Sequence, residues 1–336
     1  MATLRVGLIG AGRIGRLHAQ HLAHHIPRAT LAAIADVDEE AARACATDNG
    51  VGLAVADYHT LVQSSNVDAV VICSATDTHA RIIADAALAG KHIFCEKPID
   101  LSLERIDAAL ACVERSGVKL QMGFNRRFDA NYQRARLAVT RGEIGRPWRL
   151  HLISRDPSPP PLGYLETSGG LFLDMAIHDF DMARFLVGSE IEEVFTAAGV
   201  LVDEAIGGLG DVDTAVTTLK FASGAIGTID NSRCAVYGYD QRVEILGSQG
   251  MLTTENNFTN TLTISDRHAV RRDLPLNFFM DRYTESYRLE MAAFVDCVLD
   301  DTPPAVTGAD GRVAVVLGLA AHRSFRANAP VRVNQN

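Results

Sequence analysis

The chain has 336 residues, of which 47% are hydrophobic and 22% charged, and its formal net charge is −9. This length is enough for two domains of an ordinary globular protein. The negative charge argues against nucleic acid or an anionic membrane surface as the main partner, and no stretch is long and apolar enough to span a bilayer.

The chain opens with a predicted buried strand, Arg5–Gly10, that leads into a glycine-rich turn and a helical pattern. Gly10, Gly12 and Gly15 have the G-x-G-x-x-G spacing. This spacing allows a tight turn, a close backbone approach to a pyrophosphate and close packing of the helix on the sheet. The free N–H groups of the helix N-terminus favour the same anion. The turn, including Arg13 and Ile14, is therefore predicted to bind a dinucleotide.

A second predicted strand, Thr30–Asp36, ends in an acid at the spacing expected of a ribose-binding carboxylate. A carboxylate can accept both ribose hydroxyls of NAD and repels the 2′-phosphate of NADP. Val37 and Asp38 follow it and offer no positive charge to a phosphate. The sequence therefore predicts NAD as the cofactor, with Arg13 or Arg16 as the cations that would weaken this preference.

The alternation of strands and helices continues to residue 123 and predicts an α/β domain with a doubly wound parallel sheet. Four further strands are predicted over Leu53–Val55, Val67–Ser74, His92–Cys95 and Val118–Gly123, and helices over Glu39–Asp48, Tyr58–Ser65, Thr78–Ala89 and Ser102–Ser116. Ligands of such sheets lie at the carboxyl ends of the strands. The further cofactor-binding candidates at these ends are Ser74, Thr76, His79, Glu96 and Lys97.

Four histidines on and after the first helix suggest a metal site as an alternative: His18, His21, His24 and His25. No carboxylate or cysteine accompanies them at ligand spacing. We therefore predict no metal site, and interpret the cluster as a histidine-rich helix end before Pro27.

Residues 124–336 are predicted to form a substrate-binding α+β domain with a large, mostly antiparallel open sheet. Its predicted strands are Arg146–Ile153, Glu193–Val200, Val212–Phe221, Ala225–Ser232 and Arg242–Leu246, and its helices Asn131–Arg141, Gly170–Val187 and Thr284–Leu299. The last four strands have short connections typical of an antiparallel meander. Neither face of Val212–Phe221 is fully polar. We expect one face to pack on helices and the other on another subunit.

Asp174 and His178 are four residues apart in the predicted helix Gly170–Val187. This spacing places them on one α-helical face, about 6 Å apart at Cβ. A carboxylate can orient an imidazole and raise its pKa, and a histidine can take a hydroxyl proton near neutral pH. A structural pair, or a metal site from His178, Asp179 and Asp181, is equally compatible with the spacing.

Four motifs together resemble the Gfo/Idh/MocA family, which joins glucose–fructose oxidoreductase with inositol dehydrogenase. They are the glycine turn, the acid at Asp36, Thr76–His79 and Glu96-Lys97-Pro98. The resemblance covers nearly the whole chain. It implies that Lys97 binds substrate and supports proton transfer, and that the Lys97–Pro98 bond is cis. Many members have a proline where this chain has Asp77.

The segment Gly169–Asp179 resembles the second catalytic signature of the family. The resemblance implies that Asp174 and His178 flank the substrate, and that Asp179 and Asp181 are structural. Three further segments resemble inositol dehydrogenases in particular: Phe124–Asp129, Ser154–Pro157 and Tyr237–Arg242. The substrate-binding candidates that they add are Arg127, Asp156, Tyr237 and Tyr239. Tyr283 is another, although it also belongs to a core stripe at four-residue spacing.

The resemblance implies NAD-dependent oxidation of myo-inositol to scyllo-inosose. His178 takes the hydroxyl proton, Asp174 orients His178, and Lys97 donates to the reacting oxygen; which of Lys97 and His178 is the immediate base stays open. The alternatives are scyllo-inositol, glucose or another sugar as substrate, and a non-catalytic NAD-binding sensor. The family is commonly tetrameric through its open sheet, which implies a homotetramer. The six cysteines are scattered and form no C-x-x-C, and the first strand leaves no room for a signal peptide, so we expect a cytoplasmic protein.

Overall fold

The computed structural model describes residues 2–333. The chain divides into two compact units, and each is built from two segments. The first comprises Met1–Phe128 and Glu285–Val313, and the second Asp129–Thr284 and Ala314–Asn336. The sequence alone predicts two domains that meet after residue 123. Met291, Phe294 and Val295 belong to the apolar core of the first unit, which explains why a late segment of the chain returns to it.

The first unit contains a six-stranded sheet with the strand order β3-β2-β1-β4-β5-β6. Every pair of neighbouring strands in it is parallel. Its strands are β1 Leu4–Ile9, β2 Ala29–Ala35, β3 Ala54–Val55, β4 Ala69–Ile72, β5 His92–Glu96 and β6 Leu120–Gly123. Its helices are α1 Arg13–His24, α2 Glu39–Asp48, α3 His59–Val62, α4 Thr76–Leu88 and α5 Leu103–Ser116. The predicted doubly wound parallel sheet is confirmed.

Local signals account for the start of α2 and for both ends of α5. The Asp38 side chain accepts hydrogen bonds from the backbone N–H groups of Glu40 and Ala41 at the start of α2. Ser102 caps α5 in the same way, and Gly117 ends that helix in the left-handed conformation. These contacts satisfy polar groups that a helix leaves unpaired at its ends.

The second unit contains a seven-stranded sheet with the order β12-β11-β7-β10-β9-β8-β15. Its strands are β7 Pro147–Arg155, β8 Ile191–Gly199, β9 Thr214–Phe221, β10 Ile226–Ser232, β11 Asp240–Gly247, β12 Met251–Thr254 and β15 Val331–Arg332, with a separate hairpin of β13 Thr263–Ser265 and β14 Val270–Arg272. Its helices include α6 Ala130–Thr140, α7 Leu162–Ser168, α8 Ile177–Val187 and α9 Glu204–Gly208. Two long helices, α10 Phe279–Leu299 and α11 Gly308–Ala327, contribute residues to both units.

The predicted mostly antiparallel sheet is confirmed, but the simple meander is wrong at one point. Strands β8, β9 and β10 are antiparallel neighbours, whereas β7 lies between β10 and β11. β7 runs parallel to β10 and antiparallel to β11. Leu150, Leu152 and Ser154 alternate as buried residues along β7, so one face of this strand is covered.

The two faces of β9 differ as the alternation predicts. Ala215, Thr217, Leu219 and Phe221 are buried, while Val216, Thr218 and Lys220 are exposed. The exposed face also carries Ile226 of β10, which is 55% exposed, and Val216 is 46% exposed. One face of this sheet is therefore covered and the other is open in the single chain.

Among residues 2–333, no helix is long and apolar enough to cross a membrane.

Candidate active site

The glycine turn after β1 is built as a dinucleotide-binding turn requires. Gly10 has a φ of +98°, and a Cβ placed there would lie 2.5 Å from the Cys73 carbonyl group. A Cβ on Gly15 would lie 1.9 Å from the Gly10 oxygen, so only glycine allows α1 to pack this closely. By contrast, a Cβ on Gly12 would meet no atom within 4 Å. Gly12 is the N-cap of α1 and has no side chain to occupy the helix N-terminus, so the turn fits a pyrophosphate.

The Asp36 carboxylate lies directly beside this turn. One oxygen accepts a hydrogen bond from the Ala11 N–H at 2.6 Å, and the other accepts one from the Asp38 N–H at 2.9 Å. Each carboxylate oxygen can accept a further hydrogen bond. The contact to Ala11 also orders the turn. The structure thus brings the predicted pyrophosphate-binding turn and the predicted ribose acceptor together.

The other predicted cofactor residues lie at the carboxyl ends of the strands. Arg13 is exposed and Ile14 half-buried in the first turn of α1. The Ser74 hydroxyl is 2.7 Å from that of Thr78, and Thr76 begins α4. The His79 ring nitrogens lie 2.8 Å from the Pro98 carbonyl oxygen and 3.0 Å from that of Ser74. Burial lowers the pKa of His79. A neutral imidazole has a single N–H and can donate to only one of these oxygens.

Glu96 lies in a largely buried group with His18 and Glu290 rather than on the surface. Its carboxylate is 2.8 Å from the His18 ring nitrogen Nε2, and a ligand atom from each of the three residues lies within 4.8 Å of the others. This is the group among the described residues that is compact enough to hold a metal ion. Ligands at zinc distances of about 2.1 Å would lie about 3.4 Å apart in a tetrahedron. The 2.8 Å separation is instead that of a hydrogen bond.

Lys97 follows directly on β5, and its side chain is half-buried. The Lys97–Pro98 peptide bond is cis, as the resemblance implies. Arg127, in a 3₁₀ turn at Asn125–Phe128, donates to Asp310 at 3.0 Å. Burial alone would raise the pKa of Asp310. The Arg127 charge and two hydrogen bonds from Thr307 nevertheless hold this pKa below its ordinary value.

The prediction of one continuous helix over Gly170–Val187 is wrong in one respect. Leu171–Met175 forms a π-helical turn, and α8 begins only at Ile177. The Asp211 carboxylate accepts the Leu171 N–H at 3.0 Å and 3.1 Å, and the Ala176 N–H reaches back five residues to the Leu171 oxygen. Gly170 has a φ of +73°, and a Cβ there would lie 2.6 Å from an Asp211 oxygen. Asp174 and His178 therefore lie on helical segments of different type.

Asp174 is held by two residues that the sequence alone did not indicate. The Tyr164 hydroxyl donates to Oδ1 at 2.8 Å, and both terminal nitrogens of Arg233 lie 3.4 Å from Oδ2. Partial desolvation of the hydroxyl and the negative charge of Asp174 raise the pKa of Tyr164. Tyr164 lies in the short helix α7, which is not among the predicted elements. Arg233 directly follows β10, and its charge at the end of a strand was its single sequence signal.

His178 and the two acids of α8 differ in burial. His178 lies one residue inside α8 and is half-buried. Asp179 and Asp181 are fully buried, and Asp179 accepts a hydrogen bond from Asn231 at 2.8 Å. The burial of both acids, and the hydrogen bond of Asp179, are in keeping with the structural role that the resemblance implies.

The other substrate-binding candidates lie in the second unit. Asp156 is half-buried, and its backbone pairs with Ser232 and Ala235. The Tyr237 hydroxyl donates to Asp240 at 2.6 Å and accepts from Arg155 at 3.0 Å. Tyr239 and Tyr283 are buried and meet edge to face, with ring centroids 6.0 Å apart. The Tyr283 hydroxyl also lies 3.5 Å from the Tyr132 hydroxyl and 3.5 Å from Oε1 of Gln241.

Comparison with known proteins decides the family. Residues 4–124 match the GFO/IDH/MocA family model that is described as "Oxidoreductase family, NAD-binding Rossmann fold". The "GFO/IDH/MocA C-terminal domain" matches residues 132–253. The chain belongs to the GFO/IDH/MocA oxidoreductase family. The family membership expected from the four motifs is thus confirmed, and so is NAD as the cofactor of the first unit.

Relatives of this family match the whole chain. Myo-inositol 2-dehydrogenase of Thermotoga maritima is 48% identical over 332 residues, 99% of each chain. Inositol 2-dehydrogenase of Rhizobium meliloti is 46% identical and covers 96% of this chain and 97% of its own. The crystal structure of scyllo-inositol dehydrogenase from Lactobacillus casei with bound NAD(H) and scyllo-inositol superposes with a TM-score of 0.92 at 31% identity, covering 98% and 99% of the two chains.

Proposed function

We propose that this chain catalyses the NAD-dependent oxidation of myo-inositol to scyllo-inosose. The observation that carries the proposal is the full-length similarity to inositol 2-dehydrogenases in a chain that keeps Lys97, Asp174 and His178. The open glycine turn and the Asp36 carboxylate support the same reaction, because they fit a dinucleotide. A cyclitol is neutral and covered in hydroxyl groups, so a site rich in donors and acceptors suits it.

The chain holds NAD⁺ through the glycine turn and Asp36, and the bound cofactor supplies the hydride acceptor. His178 takes the proton of the reacting hydroxyl, and Asp174 orients its imidazole and stabilises the imidazolium that forms. Lys97 donates to the reacting oxygen and stabilises the developing alkoxide charge. Arg127, Asp156 and the candidate tyrosines bind the remaining hydroxyl groups.

Turnover by Lys97→Ala and His178→Ala tests the assignment. General acid–base groups contribute about 10²-fold to 10⁴-fold, so each variant should lose at least about a hundredfold in kcat, and His178→Ala should do so with NAD⁺ binding preserved. His268→Ala is a matched control, because its side chain is exposed and belongs to no part of the proposed site. Turnover within about tenfold of the native rate in either site variant would refute its catalytic role.

The substrate is tested with a panel of polyols, with NADH absorbance as the measurement. We expect the highest kcat/KM with myo-inositol and NAD⁺, and little activity with glucose or NADP⁺. Scyllo-inositol is the second candidate, because the scyllo-inositol dehydrogenase of Lactobacillus casei shares 31% identity with this chain. An absence of turnover with every polyol, with NAD still bound, would favour a non-catalytic NAD-binding sensor.

We also propose a cytoplasmic homotetramer assembled through the open face of the second-unit sheet. Val216 and Ile226 leave apolar surface exposed there, and such surface is typical of an interface. All six cysteines are free thiols, which suits a reducing compartment. Light scattering coupled to size exclusion should give four times the chain mass of 36.2 kDa. Val216→Lys should reduce the assembly, and an unchanged tetramer would place the interface elsewhere.

A further inference from the structure

Arg233 is almost completely buried, which is unusual for a guanidinium group. It is 1% exposed, and its backbone N–H donates to the Asp213 carbonyl oxygen at 2.8 Å. Both terminal nitrogens lie 3.4 Å from Oδ2 of Asp174. Because a buried charge needs a counter-charge, the position of Arg233 is coupled to the ionisation of Asp174.

Tyr164 approaches the other oxygen of the same carboxylate. Its hydroxyl donates to Oδ1 at 2.8 Å, although the residue as a whole is 49% exposed. Asp174 therefore has a buried cation on one oxygen and, on the other, the hydroxyl of a tyrosine whose side chain is partly exposed. The carboxylate itself sits on the π-helical turn, so its direction is not fixed by a regular helix face.

We propose that Arg233 and Tyr164 are positioning residues for catalysis: Arg233 keeps Asp174 ionised and Tyr164 fixes its orientation. This inference rests on the proposed function, in which Asp174 orients His178. A neighbouring guanidinium favours the ionised form of a carboxyl group, and only the ionised form stabilises an imidazolium by charge. Neither residue transfers a proton or contacts the reacting atoms in this scheme.

The first measurement is kcat and KM for myo-inositol in Arg233→Met, Arg233→Lys and Tyr164→Phe. Loss of one hydrogen bond to a charged group corresponds to about tenfold to a hundredfold, so we expect this loss in kcat for Arg233→Met with KM nearly unchanged. The acidic limb of kcat/KM should move to higher pH in Arg233→Met. Arg233→Lys should restore the position of that limb but not the full kcat, because lysine keeps the charge without the planar fork. Tyr164→Phe should lower kcat and move the limb less than Arg233→Met does, because it removes one neutral donor and leaves the guanidinium beside the carboxylate.

The second measurement is a double-mutant cycle with Asp174→Asn. If Arg233 acts through Asp174, the double variant should be as slow as Asp174→Asn alone, because residues that act as a unit are not additive. Losses in kcat that multiply, or an acidic limb that stays in place in Arg233→Met, would overturn the proposal.

The same cycle is measured on urea unfolding, which needs no turnover. Arg233→Met should destabilise the native chain more than the Asp174→Asn chain, because it leaves an uncompensated carboxylate only in the former. This coupling separates two failures. If no polyol is oxidised but the unfolding coupling is present, the proposed function fails while the pairing stands. If the polyol is oxidised and the coupling is absent in both measurements, the positioning role fails. If Arg233→Met does not fold, Arg233→Lys and Tyr164→Phe carry the test.

Discussion

Glu290→Gln should have a higher free energy of unfolding than the native chain, and the difference should grow as the pH rises. Glu290 is fully buried on α10, and neither carboxyl oxygen has a hydrogen-bond partner among residues 2–333. The titratable groups that face it are His18, Glu96 and Cys73. Burial, and then the negative charge of Glu96, raise the pKa of Glu290 well above its ordinary value. The folded protein therefore holds a proton here that the unfolded chain releases above about pH 4.5.

The size of the effect follows from proton linkage. Between the unfolded pKa of 4.5 and the raised folded pKa, the folded chain binds one more proton than the unfolded chain. In that window the free energy of unfolding falls by about 1.4 kcal/mol for each pH unit because of this group. Glutamine has a similar shape and no such proton, so Glu290→Gln removes this slope. Below pH 4.5 the two proteins should differ little, because both side chains are then neutral.

Urea unfolding of both proteins at half-unit pH steps measures the difference directly. The difference in unfolding free energy should rise linearly above pH 4.5 and level off at the folded pKa of Glu290. The exposed residue Glu255 provides the matched control, because Glu255→Gln should show no such rise. A pH-independent difference would refute the reasoning, because it would mean that Glu290 is ionised in the folded protein. If added Zn²⁺ then stabilised the native chain but not Glu290→Gln, the His18–Glu96–Glu290 group would be a metal site.

Two further predictions concern the dinucleotide turn. Gly12→Ala should fold normally but bind NAD⁺ more weakly in calorimetry, because its Cβ would occupy open space that the pyrophosphate needs. Gly15→Ala should instead lose thermal stability, because its Cβ would collide with the Gly10 oxygen. Equal melting temperatures for the two variants would contradict this difference. Asp36→Ala should raise KM for NAD⁺ and reduce the preference over NADP⁺, since it removes a carboxylate that repels the 2′-phosphate and also the bond to Ala11. A preference for NAD⁺ as strong as that of the native chain would show that Asp36 does not read the ribose.

The features that could be predicted from the sequence are those set by local physics. The close approach of Gly15 to Gly10 and the Asp38 cap of α2 involve residues within a few positions of each other, and the structure shows both. The parallel sheet was predictable because unbroken apolar runs and the helices between them leave few alternatives. Alternation along β9 indicated two distinct faces, and the structure shows that the face with Ala215, Thr217, Leu219 and Phe221 is the buried one.

The features that could not be predicted depend on contacts between distant residues. Nothing near β7 indicates that it pairs with both β10 and β11, because that pairing joins segments more than 70 residues apart. Arg233 is 59 residues from Asp174 in the chain, and neither residue type nor spacing links the two. The restricted conformation of Gly170 was visible only as a glycine pair, since its reason, the Asp211 side chain, lies far along the chain.

The π-helical turn changes what the spacing of Asp174 and His178 means. On a regular α-helix, four residues of separation would bring the two side chains onto one face without further help. Here the Asp174 backbone is set by Gly170 and by the Asp211 carboxylate, and its side chain by Tyr164 and Arg233. The direction of this carboxylate is therefore determined by three residues that come from α7, the loop before β9 and the end of β10. π-Helical turns are frequent at functional sites, where they place a side chain that a regular helix could not. The motif thus identifies the acid, whereas long-range contacts determine how it is presented.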